Sequence, residues 1–195
     1  MWAKGALVFK LASTPQELEQ IRALSYETFV EEIPQHPLRE DRRHTDKFEG
    51  ENTYFIGLDQ DRVIAMMALR ARRPFSLDQK LENLNDYLPA HRSPCELRLM
   101  AVRPEYRMRR VTIQLMALAW KVCRDRGFDL ALISGTTRQL DLYQHLGFIP
   151  FGPLVGTPNA YYQPMYLTMD RFGESLKGLL EKAFPELFGD PEAHP

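Results

Sequence analysis

The chain has 195 residues, of which 44% are hydrophobic and 26% are charged, and its formal net charge is −1 at neutral pH. This length and composition predict one folded domain and exclude an intrinsically disordered chain. The nearly balanced charge gives no reason to expect a nucleic-acid partner.

The first half of the chain predicts a strand, a helix, a loop and a hairpin. In chain order these are a strand at residues 6–11, a helix at 13–30, a loop at 35–51, and two strands at 53–58 and 62–70. Ser13 is the predicted N-cap of the helix, because Pro15 and Gln16 follow it in the usual order of a helix start. The loop is polar and contains proline, and we expect a loop in this place to border a substrate site.

The second half predicts an insert followed by alternating strands and helices. Leucines recur at spacings of four, three and four from Leu77 to Leu88, which predicts one inserted helix between the third and fourth strands. Glycines end the next two predicted helices, at Gly127 and Gly147. The remaining elements are a strand at 96–102, helices at 111–126 and 137–146 around a strand at 130–134, strands at 148–151 and 161–169, and an amphipathic helix at 172–188. Alternating strands and helices predict an α/β fold.

The stretch from Cys95 to Phe148 is the most informative part of the chain. An apolar strand with one embedded acid leads into an arginine-rich turn and a long amphipathic helix, and a second strand and a short helix ending LYQHLGF follow. This order resembles the GNAT superfamily of acyltransferases. The resemblance implies a mixed, mostly antiparallel central sheet flanked by helices. We expect residues 1–170 to form this single domain and residues 171–195 to add a C-terminal helix and tail that pack on it.

The arginine-rich turn RPEYRMRRVT spans residues 103–112. A helix N-terminus offers a phosphate free backbone N–H groups and the positive end of the helix dipole. Arg107 matches the first position of the superfamily's phosphate motif, whereas Arg110 and Thr112 stand where small residues are usual. The resemblance implies that the turn binds the cofactor's phosphates through Arg107, Met108, Arg109, Arg110, Val111 and Thr112. The alternative is an ordinary capped helix start with surface arginines.

Glu96 begins the strand ELRLMAV. Strict alternation would place Glu96, Arg98, Met100 and Val102 on one face and Leu97, Leu99 and Ala101 on the other. The resemblance implies that Glu96, directly or through water, removes a proton from the attacking amine. It also implies that backbone N–H groups of Met100, Ala101 and Val102 polarise the thioester carbonyl. The alternative role for Glu96 is a structural ion pair with Arg98.

Tyr143 lies in the LYQHLGF segment. The resemblance implies that its hydroxyl protonates the leaving thiolate. Thr136 and Gln139 are expected to line the cofactor wall, at positions where the common pattern has asparagine and alanine. The alternative for Tyr143 is core packing beside Leu142 and Leu146.

Three further segments are similar to the branch of the superfamily that makes N-acyl amino acids and acyl-homoserine lactones. They are FVEEIP after the first helix, the insert before ELRLMAV, and YYQPMYL near the end of the domain. That branch draws long acyl chains from acyl carrier protein, whose prosthetic arm lacks the adenosine of coenzyme A. Arginines at the turn could dock an acidic carrier. Leu99 stands where lactone-forming enzymes have arginine, so the role of that arginine is not carried over.

Three functional hypotheses remain open at this point. The first is an N-acyltransferase that uses acetyl-CoA or acyl-CoA as co-substrate and a small-molecule amine as acceptor. The second is a long-chain N-acyl amino acid synthase supplied by acyl carrier protein. The third is a degenerate domain that binds an acyl thioester or a protein partner without turnover. A homodimer is compatible with all three.

Several features argue against other classes of protein. Two cysteines, Cys95 and Cys123, do not make a disulfide framework and favour a cytoplasmic location with reduced thiols. The N-terminus lacks the pattern of a signal peptide, and no apolar run approaches the ~20 residues of a membrane span. The five histidines have no paired metal-ligand spacing, so we expect no metal.

Overall fold

The structure, a computed structural model, describes residues 7–107, 109–157 and 160–183, apart from the side chains of Arg109 and Ala183. The strands are β1 (Val8–Leu11), β2 (Asn52–Asp59), β3 (Arg62–Arg70), β4 (Pro94–Val102), β5 (Leu130–Thr136), β6 (Ile149–Pro150), β7 (Val155–Thr157) and β8 (Ala160–Thr168). The α-helices are α1 (Pro15–Tyr26), α2 (Arg109–Asp125), α3 (Leu140–His145) and α4 (Met169–Ala183). A π-helical turn, Glu27–Glu32, continues α1 directly.

One eight-stranded sheet runs through the molecule in the order β1-β2-β3-β4-β5-β8-β6, and β7 pairs with β8. Among the described strands, only β4 and β5 pair in parallel. This is the mixed, mostly antiparallel sheet that the resemblance implies, so that prediction is confirmed. The predicted β2–β3 hairpin is also present, and Gln60 at its turn has a left-handed φ of +55°.

Different elements pack on the two faces of the sheet. Along β5, Ala131 and Ile133 share a core with α2 and α4, whereas Leu130 and Leu132 pack with the 74–93 insert. Successive side chains of a strand point to opposite faces, so the helix pair and the insert lie on opposite sides of the sheet. Helix α1 packs against the β2–β3 hairpin in a separate apolar cluster.

Helix α4 packs on its own domain. Phe172, Leu176 and Leu179 are buried in the same core as α2, and Gly173 lies against the indole of Trp120. The sequence predicts this helix over 172–188, but residues 184–188 lie outside the described residues. Within the described part of the chain, every helix is too short or too polar to cross a membrane.

The N-cap of α1 is Thr14 and not the predicted Ser13. The Thr14 hydroxyl accepts a hydrogen bond from the Glu17 backbone N–H (3.2 Å), and the Glu17 carboxylate accepts one from the Thr14 N–H (3.1 Å). Gln16 lies three residues after Ser13, but the Glu17 carboxylate accepts the Ser13 N–H as well (2.7 Å), so Glu17 and not Gln16 closes the pair. The helix therefore begins one residue later than predicted.

The prediction of one inserted helix between β3 and β4 is wrong. The segment between β3 and β4 contains two 3₁₀ turns, Leu77–Gln79 and Leu84–Tyr87, and no α-helix. Asn83 has a left-handed φ of +51°, which separates the two turns because an α-helix cannot continue through that conformation. The leucine spacing instead reflects burial, because the segment packs as an irregular chain against β5.

Candidate active site

The parallel strands β4 and β5 pair only over their first residues and then diverge. The last paired residues are Glu96 and Leu132. A β-bulge lies beyond this point, since Ala68 faces Arg98 while Met66 faces Ala101, which leaves one extra residue in β4. Leu99 takes a left-handed φ of +53° at the bulge. After Glu96, no strand in the described part of the chain pairs with the edge of β4 that faces β5.

The bulge corrects the predicted faces of β4. Strict alternation would put Met100 and Val102 on the face of Arg98, but both pack with the core that contains Leu97. Ala101 and Leu99 pack with the α1 cluster instead. The extra residue shifts the alternation by one position, so Met100 and Val102 reach the side of the sheet that carries α2.

A cavity of about 510 Å³ opens where the two strands diverge. Eight of the predicted site residues line it, namely Met100, Ala101, Val102, Arg107, Thr112, Thr136, Gln139 and Tyr143. Strand β4, the N-terminal end of α2, the end of β5 and α3 thus meet around one cleft. Its size falls within the range of small-molecule and cofactor sites.

Tyr143 projects from α3 into this cleft, where its ring packs on the backbone of β5. A Cβ built on Gly135 would lie 2.7 Å from the ring atom Cδ2, so the close contact requires glycine. The Tyr143 hydroxyl lies 3.4 Å from the Gln139 side-chain oxygen and donates to it. Burial raises the pKa of Tyr143, although hydrogen bonds with Thr136 oppose the shift. The phenol therefore keeps its proton at neutral pH and can act as a donor.

The predicted phosphate turn lies at one end of the cleft, but Arg107 already has partners there. Its Nη1 donates to Glu32 Oε1 (2.7 Å), its Nη2 donates to Oε2 of the same carboxylate, and its Nε donates to the Val102 carbonyl (2.9 Å). The hydrogen bonds from Arg107 lower the pKa of Glu32, although burial opposes the shift, and the Arg107 charge adds to it. An anionic ligand at this corner would have to share or displace the Glu32 carboxylate.

The other residues of the turn that were predicted to bind a phosphate lie in different environments from Arg107. Val111 is fully buried in the core, so only its backbone could meet a ligand. Arg110 is exposed and, unlike Arg107 and Thr112, does not line the cleft. Met108 and the Arg109 side chain lie outside the described residues.

Glu96 is fully buried and lies on the insert side of the sheet. Its carboxylate accepts hydrogen bonds from the Ser76 N–H (2.8 Å), the Ser76 hydroxyl (2.5 Å) and the Leu77 N–H (3.2 Å). Arg98 Nε lies 3.4 Å from Glu96 Oε2, so the predicted ion pair is present. Glu96 does not line the cleft, and its role as a base stays a prediction that requires a water relay.

A polar cluster surrounds Arg98 on the insert side. Its guanidinium binds both carboxylate oxygens of Asp46, at 2.8 and 3.0 Å. The Phe48 ring contacts two arginines, and its centre lies 4.8 Å from Arg98 Cζ and 3.7 Å from Arg70 Cζ. Asp46 and Phe48 belong to the 35–51 loop, which therefore supplies charged and aromatic groups beside the point where β4 and β5 diverge.

Sequence reasoning missed the wall of the cleft that the end of α1 contributes. Thr28, Phe29, Glu32 and Ile33 all line it, from the π-helical turn and the residue after it. The FVEEIP segment was the available signal, since it marks a branch of the superfamily. Only the fold shows that its Glu32 meets Arg107.

Comparison with known proteins supports a common fold. The family model described as "N-acyl amino acid synthase FeeM" matches residues 20–170. BjaI, a CoA-dependent acyl-homoserine lactone synthase solved with MTA, is 22% identical, with 91% of this chain and 89% of that chain covered and a TM-score of 0.73. The AHL synthase LasI is 12% identical (89% and 95% covered, TM-score 0.72). FeeM from uncultured soil microbes is 14% identical (87% and 94% covered, TM-score 0.69). No curated protein matches the chain in sequence.

Proposed function

Because the chain belongs to the family of the N-acyl amino acid synthase FeeM, we propose that it transfers an acyl group from a coenzyme A or pantetheine thioester to an amine. The observation that carries the proposal is the cleft between the diverging strands, which Tyr143, Arg107 and the unpaired edge of β4 all line. BjaI, which shares the fold, has also been solved with SAM and isopentyl-CoA.

The cleft offers a separate group for each part of a thioester. Arg107 and Thr112 lie at the end that would receive a phosphate, and the backbone of Met100 to Val102 lies along the unpaired edge of β4. N–H groups on such an edge can stabilise the oxygen of a tetrahedral intermediate. Tyr143 is the proposed proton donor to the leaving sulfur.

The proposed reaction is a direct displacement. The amine nitrogen attacks the carbonyl carbon, the C–N bond forms, and the C–S bond breaks with its electron pair on sulfur. Tyr143 gives the sulfur a proton, and the amine loses one. Glu96 is the proposed acceptor of that proton through water, because Arg98 links the Glu96 carboxylate to the small cavity where the strands diverge.

A second candidate donor is acyl carrier protein. The Glu32 carboxylate partly neutralises Arg107, and Thr112 lines the cleft at a position where a small residue is usual. This corner therefore favours the single phosphate of a carrier-bound pantetheine arm over the larger diphosphate and adenosine of coenzyme A. An acidic carrier would also find Arg107 and Arg110 exposed beside the cleft.

The test is an acyl-transfer assay with a matrix of donors and acceptors. Acetyl-CoA, long-chain acyl-CoA and the same chains on acyl carrier protein are each offered with a panel of amines, and thiol release and amide formation are measured. The proposal predicts amide formation with at least one donor, which Tyr143→Phe reduces. If no pair yields an amide while calorimetry shows thioester binding, the third hypothesis of a non-catalytic binding domain replaces it.

A further inference from the structure

The Tyr143 hydroxyl is both a donor and an acceptor of hydrogen bonds inside the large cleft. It donates to the Gln139 side-chain oxygen (3.4 Å), and Thr136 donates to it through its backbone N–H and its hydroxyl. All three residues line the cleft. Gly135, which precedes Thr136 at the end of β5, packs against the Tyr143 ring. The end of β5 therefore fixes the hydroxyl beside Thr136.

The proposed proton transfer leaves a negative charge on Tyr143. When the phenol proton moves to the leaving sulfur, the electron pair of the O–H bond remains on the phenolate oxygen. Tyrosine and an alkyl thiol have ordinary pKa values of about 10 and 8.5, so tyrosine is the weaker acid by a factor of about 30. Burial raises the pKa of Tyr143 further. The phenolate consequently needs a stabilising partner before Tyr143 can act as an efficient acid.

Gln139 and Thr136 favour opposite protonation states of Tyr143. The Gln139 oxygen accepts the phenol proton and stabilises the neutral form, whereas the two Thr136 donors stabilise the phenolate. In the described part of the chain, no cationic side chain forms a hydrogen bond with this hydroxyl. Arg107, a cation on the cleft wall, is already bound to Glu32. Thr136 is thus the group in position to stabilise the phenolate.

We propose that Thr136 is a positioning residue that stabilises the phenolate of Tyr143 while the leaving sulfur takes the proton. The inference rests on the proposed acyl transfer and adds the group that makes Tyr143 an effective acid. As the proton leaves, Tyr143 gives up its bond to Gln139 and keeps the two bonds from Thr136. Those bonds strengthen because their acceptor becomes charged. A proton from water restores the phenol as the products leave.

The first measurement follows the ionisation of residue 143 without turnover. Tyr143→3-fluorotyrosine, whose phenol is more acidic than that of tyrosine, is titrated by fluorine NMR alone and together with Thr136→Val or Thr136→Ser. Thr136→Val keeps the backbone N–H and the shape but removes the hydroxyl, so we expect the pKa of the fluorotyrosine to rise by about one pH unit. Thr136→Ser should leave it nearly unchanged. Thr137→Val is the matched control, because Thr137 is exposed and does not line the large cleft.

The second measurement is steady-state kinetics with an alkyl thioester donor. We expect Thr136→Val to lower kcat about 10-fold with little change in KM, the loss of one hydrogen bond to a charged group, and Thr136→Ser to restore most of kcat. With an acidic aryl thiol as leaving group, Thr136→Val should have little effect. Because Thr136 acts through Tyr143, adding Thr136→Val to Tyr143→Phe should cause little further loss.

Two results would overturn the inference while leaving the acyl transfer intact. One is an unchanged pKa of the fluorotyrosine in Thr136→Val. The other is a loss of kcat that is as large in the Tyr143→Phe background as in the wild type. If the wild type consumes no donor at all, the proposed function fails, and the fluorine titration by itself decides whether Thr136 stabilises the phenolate.

Discussion

The ring of Tyr143 packs directly on the α-carbon of Gly135, so closely that a Cβ there would lie 2.7 Å from Cδ2 and 2.9 Å from Cε2 of the ring. The contact fixes the position of the hydroxyl relative to β5. A glycine in a strand often marks such a close approach.

Gly135→Ala is therefore expected to displace Tyr143 and lower kcat about 100-fold, since misplacing a catalytic group by about 1 Å can cost that much. Gly50→Ala is the matched control, because a Cβ at Gly50 meets no atom within 4 Å. Steady-state kinetics and thermal unfolding of both variants give the measurement. Normal kcat in a folded Gly135→Ala protein would show that the position of Tyr143 is not critical.

Tyr143→Phe should lower kcat about 100-fold, the usual contribution of a positioned acid. The pKa of Tyr143 is raised by burial, so its hydroxyl stays protonated through the neutral range and loses its proton only at higher pH. The loss in kcat should consequently be uniform between about pH 6 and 9. A donor with an acidic aryl thiol as leaving group needs no protonation, and with it the effect of the substitution should nearly vanish. An undiminished effect would point to a packing role.

Glu32→Gln should strengthen the binding of coenzyme A about three- to fivefold at low salt, because it releases Arg107 from an exposed ion pair. Isothermal titration calorimetry at two salt concentrations measures the change. Glu31→Gln is the control, since Glu31 lies on the same turn and pairs with Arg42 instead (2.8 Å). Weaker binding in Glu32→Gln would mean that Glu32 holds Arg107 in position for the ligand.

The Glu96→Gln variant tests whether Glu96 takes part in catalysis or only stabilises the fold. The amide would present N–H groups to donors of Ser76 and Leu77, so we expect the free energy of unfolding to fall by about 2 kcal/mol. Ser76→Ala should destabilise the protein to a similar extent while keeping the carboxylate. If Glu96 accepts the amine's proton, only Glu96→Gln lowers kcat by 100-fold or more. A similar change of kcat in both folded variants would assign Glu96 a purely structural role.

The Asp46–Arg98 pair should make the free energy of unfolding depend on pH in the acidic range. Burial opposes ionisation, but the Arg98 hydrogen bonds and charge hold the pKa of Asp46 below its usual value. The folded pKa is thus lower than the unfolded one, so the stabilisation is complete above about pH 4 and is lost as pH falls through the folded pKa. Asp46→Asn should cost about 3 kcal/mol at pH 7 and flatten the acid limb of the stability curve. Asp41→Asn, at an exposed pair with Arg39, should change little.

Local patterns in the sequence were sufficient to predict the elements whose formation depends on residues close to one another in the chain. The hairpin at β2–β3, helix α2, and the glycines after α2 and α3 follow from periodicity and turn chemistry, and Gly127 and Gly147 do have left-handed φ values. Motif order was likewise sufficient to bring Arg107, Thr112 and Tyr143 to one cleft. The N-cap was misplaced by one residue because the deciding partner was the Glu17 side chain.

Other features depended on contacts between distant residues, which only the tertiary structure decided. The leucines from Leu77 to Leu88 are spaced as in a helix, yet packing against β5 holds them in two 3₁₀ turns. The bulge at Leu99 appears only in the pairing of β4 with β3, and it places Met100 and Val102 on the side of the sheet that carries α2. Glu32 and Arg107 are far apart in sequence, as are Asp46 and Arg98. Folding alone brings each pair together. Local sequence patterns and motif order therefore determined the fold class and the core of the cleft, and packing between distant residues determined which other side chains surround it.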